Sequence, residues 1–242
     1  MARGEQGQLA LGFTSSAAAH AYLPRTLRAC RQQHPHITLA LSEHNAAAIT
    51  QAVLAERLHC GFLRVPIGRP KGLLFETLFH EPAVVALPSD HPLAPRPGGA
   101  VHTLAITDLR DEGFILVRQS GAPGLYANLV ALCEAHGFSP RVVAEVPRMM
   151  SNLNLVAAGA GSSVVPASML GAHPHAVAYC PLADATPLDA PMTLVWRQAD
   201  QAGPTATFVA LARQLAREVQ PLVATAMQLS ASAAAPRRRK PN

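Results

Sequence analysis

Three consecutive hydroxyl side chains, Thr14, Ser15 and Ser16, follow the first apolar run of the chain and have the chemistry to hold a small anion. Residues 8–13 have the length and apolar character of a buried strand, and the alanine-rich residues 17–23 are typical of a helix start. A strand, a polar loop and a helix make a βα turn, which presents free backbone N–H groups to ligands in open α/β sheets. The alternative is that Ser15 or Ser16 only caps the helix.

The length and composition indicate a globular protein with a substantial core. The chain has 242 residues, of which 49% are hydrophobic, enough for one large domain or two small ones. No run approaches the roughly 18 apolar residues of a membrane span, and residues 1–8 carry charge where a secretory signal needs an apolar stretch. We therefore expect a soluble, cytoplasmic protein with no membrane association.

The positive net charge is concentrated near the carboxyl terminus. The chain carries +5, and Arg237, Arg238, Arg239 and Lys240 supply four of these charges, which leaves +1 for the rest. The basic balance therefore indicates a solvated tail, and not a face that binds nucleic acid. We expect residues 221–242 to form this disordered basic tail.

The residues that most often bind metals or act as nucleophiles form no recognised motif. The four cysteines are far apart in apolar surroundings and are interpreted as buried thiols. The spaced pairs His34/His36 and His173/His175 flank prolines and are interpreted as turn residues. No GxSxG nucleophile elbow is present. The sequence thus predicts no metal, no cofactor and no enzymatic activity.

Strand and helix patterns alternate in two cycles, which favours an α/β fold with parallel sheets. A proline- and glycine-rich stretch at 88–99 separates the cycles and predicts a change of domain. The predicted strands are 8–13, 37–41, 60–63, 73–78, 83–87, 115–117, 142–146, 162–165, 177–182 and 192–196. The predicted helices begin near residues 24, 45, 125, 149 and 205, and the last ends near Val219.

Several short motifs, in this order and spacing, resemble the effector-sensing domain of LysR-type transcriptional regulators over about residues 7–219. These motifs are Gly7-Gln-Leu-Ala-Leu-Gly12, Tyr22-Leu-Pro24, His34-Pro-His-Ile37, Cys60-Gly-Phe-Leu-Arg64, Leu87-Pro-Ser-Asp-His-Pro-Leu-Ala94 and Leu155-Val-Ala-Ala-Gly-Ala-Gly161, followed by Val165-Pro166. The chain departs from the family at His59, where an Asp is common, and this puts the local hydrogen bonding in doubt. Small residues at 17–19 also suggest a roomier pocket.

The resemblance implies two Rossmann-like subdomains of the type 2 periplasmic-binding-protein kind, joined by two crossover strands around an effector cleft. The expected divisions are 1–7 as a linker remnant, 8–84 with 186–220 as subdomain I, 85–185 as subdomain II and 221–242 as the tail. The family also has an N-terminal winged helix-turn-helix, and this chain is expected to begin after it. DNA would then be bound only through that missing domain.

The same resemblance assigns effector contacts in subdomain I. Ser16 matches a loop position that contacts a carboxylate effector, and Phe62 matches an aromatic residue that lines the cleft beside the hinge. Asn45 begins the helix of the second βα turn, where it is either a cap or a ligand contact. Arg64 is either a fork for a carboxylate or a solvent-exposed arginine.

Subdomain II is expected to contribute the opposite wall of the cleft. Gln119, Ser120 and Gly121 follow a predicted strand and precede a predicted helix, which places them across from Ser15. Arg118 has the same two interpretations as Arg64. Pro166 lies at the cleft rim, either as a contact or only to shape the turn.

The leading functional hypothesis is a ligand-sensing regulatory module for a small organic carboxylate or aromatic effector. The resemblance also implies an antiparallel, side-by-side homodimer of this domain and a tetramer of the intact regulator. A solute-binding component of a transport system on the same fold is the alternative. An enzyme on this scaffold is the third hypothesis, and no catalytic constellation supports it.

Overall fold

Two subdomains share a pair of long antiparallel strands. The computed structural model describes residues 6–66, 68–95, 102–118, 124–183 and 188–234, with side chains at 124–125 and 220–234 excepted. The strands are β1 Gly7–Phe13, β2 Ile37–Glu43, β3 Cys60–Leu63, β4 Leu73–Pro88, β5 Gly113–Val117, β6 Arg141–Val146, β7 Ser163–Pro166, β8 Val177–Pro181 and β9 Asp189–Arg197. The helices are α1 Ser15–Ala18, α2 Tyr22–Gln33, α3 Ala46–Leu54, α4 Gly124–Ala135, α5 Met149–Ala157 and α6 Gly203–Ala234.

Subdomain I contains β1 to β3 with α1, α2, α3 and α6. Its strands β2, β1 and β3 are parallel in that order, and β3 pairs antiparallel with β9. Leu9 and Leu11 of β1 pack with α2 and α6 on one face of the sheet, and Ala10 packs against the cluster around α3 on the other. Because side chains alternate along a strand, one apolar run fills both cores.

Subdomain II contains β5 to β8 with α4 and α5. Its strands β5 and β6 are parallel. The second half of β4 supplies both cores here, since Val85 and Leu87 pack with α4 whereas Val84 and Ala86 pack with α5. The predicted α/β fold with two subdomains and two crossover strands is confirmed.

The crossover strand β4 corrects one prediction. The apolar runs 73–78 and 83–87 were expected to form two strands, whereas the structure has one strand from Leu73 to Pro88. It pairs with β9 from Leu73 to Pro82, and then with β7 and β8 from Ala83 onward. The polar residues between the runs suggested a break, but Glu81 is buried with partners and does not interrupt the strand. The predicted boundary 84/85 thus falls inside β4, and 185/186 lies outside the described residues.

The last helix is longer than the sequence predicted. A helix ending near Val219 and a disordered segment after Pro221 were expected, whereas α6 continues to Ala234. Alanine has the highest intrinsic helix propensity. The alanine-rich segment after Pro221 therefore continues the helix. Residues 235–242, which include the basic cluster, lie outside the described residues.

The four cysteines are in the cores of the two subdomains. Cys30, Cys60, Cys133 and Cys180 are all buried free thiols, as predicted. Burial raises the pKa of the Cys133 and Cys180 thiols to about 11. Within the described ranges, no helix has the length and hydropathy needed to cross a membrane.

Two glycines allow α3 to approach the sheet beside the cleft. Gly12 of β1 pairs with Gly61 of β3, and Ile49 of α3 lies directly over both. A Cβ atom at Gly61 would lie 2.4 Å from the Ile49 Cγ2 atom and 3.1 Å from the Gly12 carbonyl oxygen. No side chain fits between helix and sheet at this point, so α3 and the turn before it are held close to β3.

We therefore expect Gly61→Ala to lower the free energy of unfolding by about 1–3 kcal/mol, the usual cost of forcing an extra methyl group into a packed core. Urea denaturation measures this loss. Gly68→Ala is the matched control, because no heavy atom lies within 4 Å of its added Cβ atom. Equal stability of the two variants would show that α3 can shift freely.

Candidate functional site

A cavity of about 330 Å³ lies between the two subdomains, at the carboxyl ends of their parallel strands. Its walls from subdomain I are Thr14, Ser15, Ser16, Glu43, His44, Asn45, Ala46, Arg64 and Val65. Its walls from subdomain II are Val117, Pro147, Arg148, Met149 and Val164. The volume suits a small molecule, and the mixture of apolar side chains with a few polar groups is typical of ligand sites.

The hydroxyl turn after β1 forms one end of this cavity. Thr14 caps α1, because its Oγ1 accepts a hydrogen bond from the Ala17 N–H at 3.2 Å. The cap is therefore Thr14, and neither Ser15 nor Ser16 has that role. The Ser16 hydroxyl lies 3.3 Å from the Thr14 Oγ1, and both residues line the cavity. Ser15 and Ser16 remain candidates for contact with a ligand.

Asn45 has the capping role that the sequence analysis kept open. Its Oδ1 accepts a hydrogen bond from the Ala48 N–H at 2.7 Å, and its extended backbone is that of an N-cap residue. The residue also lines the cavity. The capping hydrogen bond uses the Oδ1 oxygen of the side-chain amide. A ligand contact by Asn45 stays a prediction.

Arg64 lies at the point where the subdomains and the crossover strands meet. Its guanidinium donates to the Ser16 carbonyl of subdomain I at 2.7 Å and to the Ser168 hydroxyl of subdomain II at 3.4 Å. The same guanidinium forms an ion pair with Glu81 of β4. The side chain is 6% exposed, so the structure contradicts one of the two interpretations of Arg64, the solvent-exposed arginine.

Glu81 holds Arg64 and the turn after β7 together. Its carboxylate accepts hydrogen bonds from the Ser168 N–H at 2.7 Å and the Ser168 hydroxyl at 3.2 Å. Burial lowers the pKa of the Arg64 guanidinium, and the neighbouring Glu81 opposes that shift. Burial likewise lowers the pKa of nearby His20, which favours its neutral form. The positive charge of Arg64 is therefore compensated inside the protein.

Two predicted site residues do not reach the cavity. Phe62 is fully buried in the core of subdomain I, with Tyr22 and Phe208 rings at 5.9 Å and 6.0 Å, so its prediction as a cleft-lining residue is corrected. A hydrophobic side chain near the end of a strand can face either the core or the cleft at the edge of the sheet. The Phe62 side chain is in the core. Pro166 pairs with Ala83 and leads into the short turn Ala167–Met169 that presents Ser168.

The remaining predictions concern the loop after β5. Arg118 is exposed, forms an ion pair with Glu145 at 2.9 Å and stacks over the Tyr126 ring at 5.4 Å. It is not among the residues of the cavity wall, which agrees with the simpler interpretation of an exposed arginine. Gln119, Ser120 and Gly121 lie outside the described residues, so their role stays a prediction.

The cavity residues at the ends of β2 and β6 were not predicted from the sequence. Glu43 ends β2 and His44 follows it, whereas Pro147 and Arg148 join β6 to α5, which begins at Met149. The signal was available in part, because both βα turns were predicted and βα turns of parallel strands meet at one edge. The positions of these residues along the sequence do not indicate that the two turns face each other across a cavity.

Two helix N-termini also meet at this cavity. Ala46 begins α3 in subdomain I, and Met149 begins α5 in subdomain II, where Arg148 occupies the N-cap position without a capping side-chain hydrogen bond. Neither helix has an acidic residue in its first turn. Free N–H groups and the helix dipole favour negative charge at such ends. These two helix ends therefore favour an anion, whereas the Glu43 carboxylate on the same wall opposes one.

His59, the departure from the family pattern, is accommodated by a hydrogen bond. Its Nδ1 accepts from the Ala10 N–H at 2.9 Å, and its backbone N–H donates to the Ala10 carbonyl at 2.8 Å. The imidazole thus supplies the acceptor that the β1 backbone needs beside β3. The substitution leaves this part of the fold hydrogen-bonded.

The sequence and structure match one family of regulatory domains. The family model described as the LysR substrate binding domain matches residues 2–217. The HTH-type transcriptional regulator AlsR of Bacillus subtilis is 35% identical over 167 residues, which are 69% of this chain and 53% of AlsR. The regulator BenM of Acinetobacter baylyi is 33% identical over 174 residues, 72% of this chain and 56% of BenM. The chain spans about half the length of these two regulators.

A solved structure of the BenM effector-binding domain with its effector benzoate has the same fold. It superposes with a TM-score of 0.73 and 27% identity, covering 97% of this chain and 98% of that domain. Such domains have the type 2 periplasmic-binding-protein-like fold, which confirms the fold expected from the sequence.

Replacement of the Glu81 carboxylate should destabilise the protein. We expect Glu81→Gln to lower the free energy of unfolding by about 3–5 kcal/mol, because it leaves the buried charge of Arg64 without its counter-charge. Urea denaturation measures the loss. Glu145→Gln is the control, since its ion pair with Arg118 is exposed to solvent and screened. A loss no larger than the control's would contradict the role of Glu81.

The two interpretations of Asn45 can be separated by one substitution. We expect Asn45→Ala to lower the free energy of unfolding by about 1 kcal/mol, because the Ala48 N–H loses its acceptor. Asn45→Asp keeps that acceptor and should restore the stability. Thermal unfolding of both variants checks this. Equal loss in both would contradict the capping role.

Proposed function

We propose that this chain, which belongs to the family of LysR substrate-binding domains, senses a small organic carboxylate in the cavity between its subdomains. On this proposal it is the regulatory part of a DNA-binding transcriptional regulator. The observation that carries it is the position of the cavity, where the hydroxyl turn of subdomain I faces the N-terminus of α5 across the cleft.

The polar groups of the cavity support an anionic ligand. A carboxylate at Ser15 and Ser16 would accept charge-assisted hydrogen bonds, each worth about 1.5–3 kcal/mol before desolvation is subtracted. The N-termini of α3 and α5 add to this attraction. The Arg64 Nε is buried and has no hydrogen-bond partner among the described residues.

The apolar part of the wall supports a ligand with a hydrocarbon or aromatic body. Val65, Val117, Met149 and Val164 line the cavity together with the polar residues. A molecule with one charged end and one apolar end would therefore satisfy both parts of the wall. Benzoate, the effector in the related BenM structure, has this character.

The two-subdomain arrangement supports a mechanism of transmission. A ligand that touches both subdomains stabilises those arrangements of the subdomains in which both sets of contacts form. It acts only through its difference in affinity for these arrangements. We propose that the change alters how the protomers of a homo-oligomer are arranged, and hence how DNA-binding domains meet their sites.

Exposed apolar side chains on two outer strands support self-association. Leu41 of β2 is 39% exposed, and Val142 and Val143 of β6 are 41% and 42% exposed. Both strands are at the ends of their sheets. A homodimer of this domain, within a tetramer of the intact regulator, would cover these side chains.

The other parts of the proposal follow from the relatives. The proteins named above are transcriptional regulators, which supports a regulatory role in the cytoplasm over catalysis and over solute transport. Contact with DNA would belong to a different part of the intact regulator. The identity of the effector would determine which genes respond.

We expect organic carboxylates to raise the melting temperature, because a ligand that binds only the folded state stabilises it by about 2.7 kcal/mol at one hundred times its dissociation constant. A panel of benzoate, butyrate and phthalate, with the matching amides, would be measured by thermal shift. The amides should give smaller shifts than the acids. The absence of a shift with every acid would contradict a carboxylate effector.

The same measurement tests the site. Ser16→Ala should weaken binding of the acid with the largest shift by about tenfold, as expected for loss of one hydrogen bond to a charged group. Ser89→Ala is the control, since that hydroxyl is exposed in subdomain II and donates to the His175 carbonyl. An unchanged affinity in Ser16→Ala would remove Ser16 from the site.

A further inference from the structure

One ion pair joins the two subdomains directly across the cavity. Glu43 ends β2 in subdomain I, and Arg148 precedes α5 in subdomain II. The Arg148 guanidinium donates to the Glu43 carboxylate, and both residues line the cavity. The Glu43 carboxylate is therefore already paired with the Arg148 guanidinium inside the candidate site.

The two arginines of the described cavity wall differ in what they can offer a ligand. Arg64 is 6% exposed, and its charge is compensated by the buried Glu81. Arg148 is 61% exposed, and the Glu43 side chain that it holds is 38% exposed. A ligand can exchange with a partner that solvent reaches, whereas the buried pair would have to be broken at a large cost. Arg148 is thus the arginine whose partner can be replaced.

We propose that Arg148 is the carboxylate-binding residue of subdomain II, and that Glu43 is an internal competitor that an effector carboxylate must displace. This inference rests on the proposed function, because it names a residue and a selectivity for the same cavity. The chemical class of ligand is an organic acid whose carboxylate reaches the Arg148 guanidinium. A fork of two N–H donors matches a carboxylate better than it matches an amide.

The exposure of the pair determines how strong the competition can be. Exposed ion pairs contribute little to stability, and their loss changes an equilibrium by about fivefold at most. Glu43 can therefore be displaced by a ligand that also gains contacts with Ser16 and the apolar wall. The competition still lowers the affinity of every acid, and it leaves Glu43 near the bound carboxylate as a repulsive charge.

Displacement would replace one link between the subdomains with another. In the pair, Arg148 of subdomain II holds Glu43 of subdomain I. With an acid bound, Arg148 would hold the ligand, and the ligand would hold the Ser15 and Ser16 turn. The subdomains stay connected, but the point of attachment in subdomain I moves from the end of β2 to the turn after β1.

The test is isothermal titration of the full chain with benzoate, butyrate and phthalate, and with the matching amides. We expect Glu43→Gln to bind the acids about two- to fivefold more tightly, because the competitor has lost its charge. We expect Arg148→Gln to bind them about tenfold more weakly or worse. Binding of the amides should change little in either variant.

The double variant separates competition from a general effect of charge. If Glu43 acts through Arg148, Glu43→Gln should bring no gain in the Arg148→Gln background. Glu218→Gln is the matched control, since Glu218 forms an exposed ion pair with Arg25 within subdomain I and is 47% exposed. It should leave the affinity for acids unchanged.

The outcomes distinguish the inference from the proposed function. If the acids bind the wild-type chain and Glu43→Gln with equal affinity, the inference is overturned and the proposed function stands. The same holds if the gain in affinity caused by Glu43→Gln persists in the double variant. Acids that bind neither the wild-type chain nor Glu43→Gln would overturn both. A melting temperature equal to that of the wild-type chain identifies each variant as folded before titration.

Discussion

The ion pair between Arg64 and Glu81 is the constraint on which the arrangement of the two subdomains depends. Arg64 follows β3, and Glu81 lies in the middle of the crossover strand β4, so the pair is located where the chain leaves one subdomain for the other. Two charges removed from water are costly unless further hydrogen bonds satisfy them. Those bonds come from Ser16 in subdomain I and from Ser168 in subdomain II. Satisfying the pair therefore requires both subdomains to be present.

This requirement connects the ion pair of Arg64 and Glu81 to the candidate site. The carbonyl that Arg64 binds belongs to Ser16, a residue that also lines the cavity. A ligand that moves the Ser15 and Ser16 turn would change the environment of a buried guanidinium, where small displacements have large energetic effects. The long β4 strand gives this part of the structure its stiffness, because its antiparallel pairing with β9 continues from Leu73 to Pro82 with one irregularity.

The fold and one half of the site could be predicted because their signals are local. Alternating strands and helices indicated two α/β units, and the hydroxyls after the first strand indicated a βα turn, as Thr14 and Ser16 show. The failures concern side chains whose partners are distant in sequence. Phe62 and Arg64 are two residues apart, yet one faces the core and the other a carboxylate in β4. Glu43 and Arg148 are 105 residues apart, and nothing in either segment indicates the other.

Two ion pairs beside the cavity have opposite physical characters, and this difference decides which can respond to a ligand. The pair of Arg64 and Glu81 is buried, so breaking it leaves a charge in a medium of low polarity and costs several kcal/mol. The pair of Glu43 and Arg148 is exposed to water, which screens it and reduces its contribution to a small fraction of that cost. A small molecule with a few hydrogen bonds has enough binding energy to replace the second pair, and too little to replace the first. On the proposal made above, the buried pair keeps the subdomains together while an effector exchanges with the exposed pair, which is the division of roles that a sensor in this cleft requires.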